Sequence, residues 1–212
     1  MMNPKKTAYE KTAQTIIGHL TRRNMEGYYF ETAKDAVDAI LKEIPMGSLV
    51  TWGGSVSFIE SGMKDALTKA GHNMLDRDTV TTFEETREMY AKQVLADYYF
   101  MSSNAITLKG ELVNIDARSN RLSCLLFGPK NVILLVGMNK VANDVESAVK
   151  RIRTDACPAN AIRLNKNTPC SKTGVCGECL LDDCICNNIV VTRHSSYKGR
   201  IKVYLIGEEL GY

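Results

Sequence analysis

The sequence predicts an α/β fold in which a mostly parallel sheet is covered by helices. Apolar segments of strand length alternate with amphipathic segments of helix length, which is the pattern of a parallel sheet with helical connections. The segment 131–136 is apolar on both faces, as a central strand should be. The chain has 212 residues and 44% of them are hydrophobic, so it can bury one sizeable core.

The elements are predicted in order from hydrophobic spacing. Helices are expected over 7–24, 33–44, 56–70, 82–96, 143–153 and 158–164. Strands are expected over 27–32, 48–52, 73–75, 97–101, 112–115, 131–136, 189–192 and 201–206. The chain is divided into an N-terminal helical region (1–45), an α/β core (46–167), and a cysteine-rich loop with closing strands (168–212) that packs on the same domain.

Composition excludes several classes of function. There is no run of 18 apolar residues, so no membrane span is expected. The first ten residues lack the apolar core of a signal peptide, which makes the cytoplasm the expected location. The net charge of +3 comes from interspersed basic and acidic residues, so no nucleic-acid partner is expected. A small anionic ligand remains compatible with this charge.

A glycine loop follows the strand predicted over 48–52. Gly53, Gly54 and Ser55 lie between that strand and a helix, where free backbone amides could bind an anion. Ser57 and Glu60 have capping-box spacing, so Ser57 is expected to cap the helix while Ser55 faces outward. The alternative is a tight turn without a ligand, and two glycines do not decide between these readings.

A polar stretch follows the strand predicted over 97–101. Ligands of parallel α/β sheets bind beyond the carboxyl ends of the strands, so these polar side chains are candidate ligand contacts. Arg121 is the expected anion partner because its guanidinium matches a carboxylate or phosphate. Turn formation around Lys109 and Gly110 is the competing explanation. The candidates are Asn104, Asn114, Asp116, Asn120 and Arg121.

Five of the seven cysteines lie between residues 170 and 186. Cys176 and Cys179 form a C-x-x-C pair that can bind one metal or cluster, and Cys170 with Cys184 or Cys186 would complete four ligands. An all-thiolate set suits an iron–sulfur cluster or zinc, with the cluster favoured, while free or disulfide-linked thiols are the alternative. The remaining two cysteines are expected to be packing residues.

The chain resembles the lactate utilization protein C family, or LUD domain, in its cysteine-tailed subgroup. The matching segments cover most of residues 45–212 and occur in a specific order: 52–55, 103–107, 110–116, 120–121, 128–132, 136–140 and 207–212. Trp52 departs from the family pattern, which is compatible with an aliphatic residue or glycine before the two glycines. The resemblance implies a fold like that of the NagB, ribose-phosphate isomerase and CoA-transferase group.

The resemblance also implies a ligand set and a function. Its cysteine pattern assigns the metal ligands to Cys170, Cys176, Cys179 and Cys186, with a 4Fe–4S cluster favoured over zinc, and leaves Cys184 as an extra thiol. Members of the family are linked to oxidation of lactate to pyruvate beside iron–sulfur oxidoreductase subunits. The chain is therefore interpreted as a redox accessory protein for a small hydroxy acid; self-association is left open.

Two other functions stay open from sequence. The first is an isomerase or CoA-transferase-like enzyme on an anionic small substrate, which needs a general base, for which Glu111 and Asp116 are the candidates. The second is a non-catalytic binding or regulatory module whose metal only stabilises the cysteine-rich loop at 168–187, called the cysteine segment below. Whether the chain is itself an enzyme is not decided by the sequence.

Overall fold

The computed structural model describes residues 3–212 and has the predicted α/β architecture. The strands are β1 (Glu26–Phe30), β2 (Leu49–Trp52), β3 (Asn73–Met74), β4 (Tyr98–Met101), β5 (Ala105–Thr107), β6 (Leu112–Asp116), β7 (Asn131–Gly137), β8 (Val141–Ala142), β9 (Asn188–Thr192) and β10 (Ile201–Ile206). The helices are α1 (Pro4–Arg22), α2 (Ala33–Glu43), α3 (Val56–Glu60), α4 (Met63–Lys69), α5 (Phe83–Gln93), α6 (Asn120–Leu126), α7 (Val145–Arg151), α8 (Cys157–Arg163) and α9 (Pro169–Thr173).

A six-stranded parallel sheet forms the centre of the fold. Its strand order is β1-β10-β7-β4-β2-β3, and each neighbouring pair is parallel. The segments predicted over 48–52, 97–101 and 131–136 are β2, β4 and β7, which lie side by side in this sheet. The predicted fold class is therefore confirmed. All six strands run in the same direction, so their carboxyl ends meet at one edge.

The two faces of β7 pack into two different cores. Val132 and Leu134 lie in a cluster with Leu20 of α1, on one face of the sheet. Ile133 and Leu135 lie in a second cluster on the other face, which the helices α2, α3 and α4 cover. Consecutive strand residues point to opposite faces, so helical layers on both sides require a continuous apolar run. The sequence of β7 meets this requirement.

A second sheet of four short strands lies beside the first, in the order β8-β5-β6-β9. Strand β6 pairs antiparallel with both β5 and β9, while β5 pairs with β8 in parallel. The sequence predicted β6 and β9 as strands but not the separate sheet that they form. This sheet matters for the site because β6 carries Asn114 and Asp116.

The segment after β8 departs from the prediction. The helix expected over 143–153 ends as α7 at Arg151, and a π-helical turn (Ile152–Ala156) connects it to α8. Pro158 lacks an amide hydrogen and its ring crowds the carbonyl four residues earlier, which favours a wider turn here. The cysteine segment, predicted as a loop, also contains the short helix α9.

Candidate functional site

A cavity of about 460 Å³ opens at the carboxyl edge of the parallel sheet. The segments that follow β2, β4 and β7 all contribute to its wall, which is the usual position of a ligand site in a parallel α/β fold. The cysteine segment and α8 form the opposite wall. Six of the predicted ligand-binding residues line the cavity: Gly54, Ser55, Asn104, Asp116, Asn120 and Arg121.

The glycine loop packs tightly against the base of the cavity. A Cβ atom on Gly53 would lie 2.5 Å from Tyr99 Oη and 3.0 Å from Arg121 Cγ, so a side chain there would displace both. Gly53 therefore lies outside the lining of the cavity and packs against Tyr99 and Arg121, whereas Gly54 lines the cavity. Neither glycine has a positive φ. Gly53 is therefore needed for close packing and not for a left-handed backbone conformation.

The predicted cap of α3 is wrong by two residues. Ser55 is the N-cap, and its Oγ accepts a hydrogen bond from the Phe58 amide at 3.3 Å. Ser57 is buried instead and donates its hydroxyl hydrogen to the Leu210 carbonyl at 3.1 Å. Only Ser57, paired with Glu60, has capping-box spacing in the sequence, but in the structure both members of that pair contact the 210–211 segment, and Glu60 accepts a hydrogen bond from the Gly211 amide at 2.6 Å.

Arg121 is the centre of a hydrogen-bond network that joins β4, β6 and α6. Its guanidinium donates to Asn114 Oδ1 at 2.7 Å, to Asn104 Oδ1 at 3.0 Å, and to Asp116 Oδ2 at 3.2 Å. It also donates to the backbone carbonyls of Ser102 and Ile115. The guanidinium donors are thus directed to acceptors of the protein, which holds the cavity wall together. A role for Arg121 in binding an anion stays a prediction.

The two candidate bases lie in different environments. Asp116 lines the cavity, but its Oδ1 accepts from the amides of Arg118 and Ser119 while its Oδ2 accepts from Arg121. Glu111 does not line the cavity, and its carboxylate contacts Arg23 and Thr107 on another part of the fold. Burial favours a raised pKa for Glu111, but the Thr107 hydroxyl and the Arg23 charge outweigh it and lower the pKa. General-base roles for both stay predictions.

Lys140 is the charged group that sequence reasoning missed. It follows β7 by three residues, is 4% exposed, and lines the cavity. Its ammonium donates to Ser57 Oγ at 2.8 Å and to Ser102 Oγ at 3.2 Å. In residues 3–212, no carboxylate lies within salt-bridge distance of it. Applying the rule for strand ends to β7, as to β4, would have found this lysine.

The surroundings of Lys140 disfavour its positive charge. Burial, with smaller contributions from the charges of Arg151 and Arg121, lowers its pKa to about 7, and the charge of Glu60 partly opposes this shift. Arg151 is itself held in place by donating to the carbonyls of Asn139 and Asn104, both at 2.9 Å. An anion in the cavity would meet a buried ammonium with two neutral hydroxyl partners and two guanidinium groups nearby.

The cysteines predicted as metal ligands contact different partners in the structure. Cys170 is buried on α9 against Thr168 Oγ1, with the two atoms 3.3 Å apart, while Cys176 is half-buried in the following loop. Cys179 contacts Cys184, and burial followed by this contact raises the pKa of the Cys179 thiol. Cys186 points towards Cys157, to which its Sγ donates at 3.3 Å.

The predicted metal ligands do not form a preassembled group among the described residues. Within residues 3–212, no three side chains of His, Cys, Asp or Glu form a group that could hold a metal ion. Cys184, predicted to lie outside the ligand set, contacts Cys179 and accepts a hydrogen bond from the Cys186 amide at 3.4 Å. The assignment to Cys170, Cys176, Cys179 and Cys186 stays a prediction.

The fold and the cavity define an α/β protein with a cation-lined site at the carboxyl edge of a parallel sheet. The chain belongs to the LUD-domain family, which is linked to lactate utilization, since the family model matches residues 13–206. A DUF162-family protein from Deinococcus radiodurans has a similar structure, with a TM-score of 0.55 at 12% identity over 93% of this chain and 98% of that one. This likeness shows the shared fold.

Two further comparisons concern a second solved structure and the curated proteins. A ribose 5-phosphate isomerase from Plasmodium falciparum matches 52% of each chain with a TM-score of 0.34 at 16% identity. The comparison with curated proteins finds no match. Across residues 3–212, none of the helices has the length and apolar character required to cross a bilayer.

Proposed function

We propose that this protein binds a small anionic metabolite in the cavity and thereby supports oxidation of a small hydroxy acid, such as lactate to pyruvate. The observation that carries the proposal is Lys140, a buried ammonium in the cavity whose hydrogen-bond partners are two serine hydroxyls. A buried charge without a counter-ion is unfavourable, and an anionic ligand would supply the missing partner. Membership of the LUD-domain family favours a hydroxy or oxo acid as that ligand.

The wall of the cavity supports a ligand with both a carboxylate and a hydroxyl or carbonyl group. Ser57 and Ser102 hold the ammonium, and Arg121 fixes Asn104 through its side-chain oxygen, which leaves the Asn104 amide nitrogen for a polar ligand group. Rigid positioning of this kind lowers the entropic cost of binding. Cytoplasmic residence and association with iron–sulfur oxidoreductase subunits belong to the same proposal.

Thermal-shift measurements test the proposal. Lactate, pyruvate and inorganic phosphate are titrated separately into the wild type, Lys140→Met, and the control Lys42→Met, in which an exposed lysine of α2 is changed. A ligand that binds the folded state raises Tm with concentration. We expect lactate or pyruvate to raise Tm of the wild type and control but not of Lys140→Met. An equal shift in all three proteins would show that Lys140 does not bind the ligand.

Proton transfer on an anionic substrate, as in an isomerase, is a second candidate. The observation that favours it is the lowered pKa of Lys140, about 7, because a group with a pKa near working pH can both accept and release a proton. Incubation of the wild type with pyruvate or ribose 5-phosphate in D₂O, followed by NMR, would detect enzyme-dependent exchange at the carbon beside the carbonyl. Exchange unaffected by Lys140→Met would refute this role.

A metal in the cysteine segment remains a proposal of its own. Cys176 and Cys179 form the C-x-x-C pair that could bind it. Protein purified without oxygen should contain iron or zinc, and that metal should be lost when Cys176 and Cys179 are both changed to serine. Retention of the full metal content in that double variant would exclude the C-x-x-C pair as ligands.

A further inference from the structure

We propose that Cys157 and Cys186 form a reversible redox pair, a dithiol that closes to a disulfide beside the cavity. Cys186 Sγ lies 3.3 Å from Cys157 Sγ, although 28 residues separate the two positions in the sequence. Cys157 is buried at the start of α8 and lines the cavity, whereas Cys186 is half-buried at the end of the cysteine segment. This pairing goes beyond the proposed function and does not depend on the identity of the ligand.

The two sulfur atoms are close enough to form a disulfide after a small movement. Closure of the observed 3.3 Å to a disulfide bond of about 2.05 Å requires an approach of about 1.2 Å. Small side-chain rotations can supply this movement, especially at the half-buried Cys186.

Other contacts keep the two segments next to each other when the thiols are reduced. Arg153, in the π-helical turn before Cys157, donates to Glu178 of the cysteine segment at 3.0 Å. Ile185, beside Cys186, is buried against Ala161 of α8. The thiols are thus held together by packing and by an ion pair, so the pair can open and close without separation of the segments.

The oxidant is a low-molecular-weight disulfide of the glutathione type. The contact with Cys157 and burial raise the pKa of the Cys186 thiol, so this thiol must first lose its proton to water. The Cys186 thiolate then attacks one sulfur of the small disulfide, which forms a mixed disulfide on Cys186 and releases one small thiolate that takes up a proton. The Cys157 sulfur then attacks Cys186 Sγ, which forms the protein disulfide and releases the second small thiol. Two protein thiols are oxidised, one small disulfide is reduced to two thiols, and both protein hydrogens pass to the released thiols.

Closure would tie the cysteine segment covalently to the wall of the cavity. Cys184 lines the cavity two residues before Cys186, and its Sγ accepts a hydrogen bond from the Cys186 amide. A change at Cys186 is therefore transmitted to a residue that faces the ligand site. The redox state of the pair becomes a means of altering the cavity.

The test is a redox titration of the full-length reduced protein with glutathione and glutathione disulfide, analysed by intact mass and non-reducing peptide mapping. The wild type should yield a peptide that links Cys157 to Cys186 and that is lighter by two hydrogen masses than the sum of the two reduced peptides. Cys124→Ser, at an isolated buried cysteine, should behave identically. Cys157→Ser should instead accumulate the mixed disulfide on Cys186, and Cys186→Ser should form no link to Cys157; circular dichroism checks that each variant folds.

Three results would overturn the proposal. One is a wild type that keeps both thiols under conditions that oxidise exposed protein dithiols. Another is a peptide map in which Cys186 is linked to a different cysteine while Cys157 stays reduced. The third is a zinc ion or iron–sulfur cluster in anaerobically prepared protein that is lost in both Cys157→Ser and Cys186→Ser, since these residues would then be metal ligands.

Discussion

Replacement of Lys140 by methionine should make the protein more stable at mildly acidic pH. Lys140 is 4% exposed, and its ammonium is hydrogen-bonded only to the hydroxyls of Ser57 and Ser102 among the described residues. Methionine has a similar length, fills the same space and carries no charge. The variant therefore removes the unfavourable buried charge while it preserves most of the packing.

The size of the effect follows from the pKa. Burial, with the charges of Arg151 and Arg121, lowers the pKa of Lys140 from 10.5 to about 7. The difference corresponds to about 5 kcal/mol of destabilisation of the charged form. The substitution also removes two hydrogen bonds of about 1 kcal/mol each. Lys140→Met should therefore raise the free energy of unfolding by about 3 kcal/mol at pH 6.

The pH dependence has a defined sign. Below the folded pKa of about 7, Lys140 is protonated in both states and the full penalty is present. Between that pKa and the unfolded value, the unfolded state binds more protons, so the stability of the wild type rises with pH. At pH 9 the remaining penalty is about 2 kcal/mol, which the two lost hydrogen bonds offset. The advantage of Lys140→Met should thus disappear near pH 9.

Urea denaturation of the wild type, Lys140→Met and Lys42→Met at pH 6 and pH 9 measures these differences. For a domain of this size, 3 kcal/mol also corresponds to a rise in Tm of about 6–12 °C at pH 6. Lys42→Met should change stability by no more than about 0.5 kcal/mol at either pH. A Lys140→Met variant that is less stable than the wild type at pH 6 would refute the reasoning, because Lys140 would then be a stabilising cation.

Three further predictions concern the same site. Arg121→Ala should destabilise the protein by about 3–5 kcal/mol in urea denaturation, because it leaves a buried carboxylate without its partner. Gly53→Ala should cost about 1–3 kcal/mol through its contact with Tyr99, while Gly54→Ala, whose nearest neighbour would be 3.5 Å away, should be close to neutral. Anion affinity measured by calorimetry should fall by up to about tenfold per pH unit above pH 7, as Lys140 loses its proton; an unchanged affinity from pH 6 to pH 9 would contradict this.

The central sheet could be predicted because its signals are local. The strand β7 is apolar on both faces, and Thr82 and Glu85 form the predicted capping box with both of its hydrogen bonds. The second sheet could not be predicted in the same way. It depends on pairing between β6 and β9, in which Asn114 lies opposite Val190. No periodicity within either strand indicates a partner 76 residues away.

The site could be predicted in part for the same reason. Asn104 and Asp116 were found because they follow buried strands, and the structure brings them together through Arg121. Lys140 was missed because the rule for strand ends was applied to β4 and not to β7; its contact with Ser57, which lies 83 residues earlier, could not be predicted from the sequence. Cys157 was taken for a packing residue because its contact with Cys186 exists only in the folded chain.

Lys140 and Arg121, the buried and the half-buried cation of the cavity, differ in how their charge is satisfied. Arg121 donates to a carboxylate, two amide oxygens and two backbone carbonyls, so its charge is compensated before any ligand binds. Lys140 donates to two neutral hydroxyls, so its charge is compensated only when an anion arrives. The sequence singled out the arginine because its side chain suits anions in general. In the folded protein, Lys140 is the stronger candidate for binding an anion. Its ammonium has no counter-ion among its hydrogen-bond partners, so an anion gains more free energy by contacting Lys140 than by contacting Arg121.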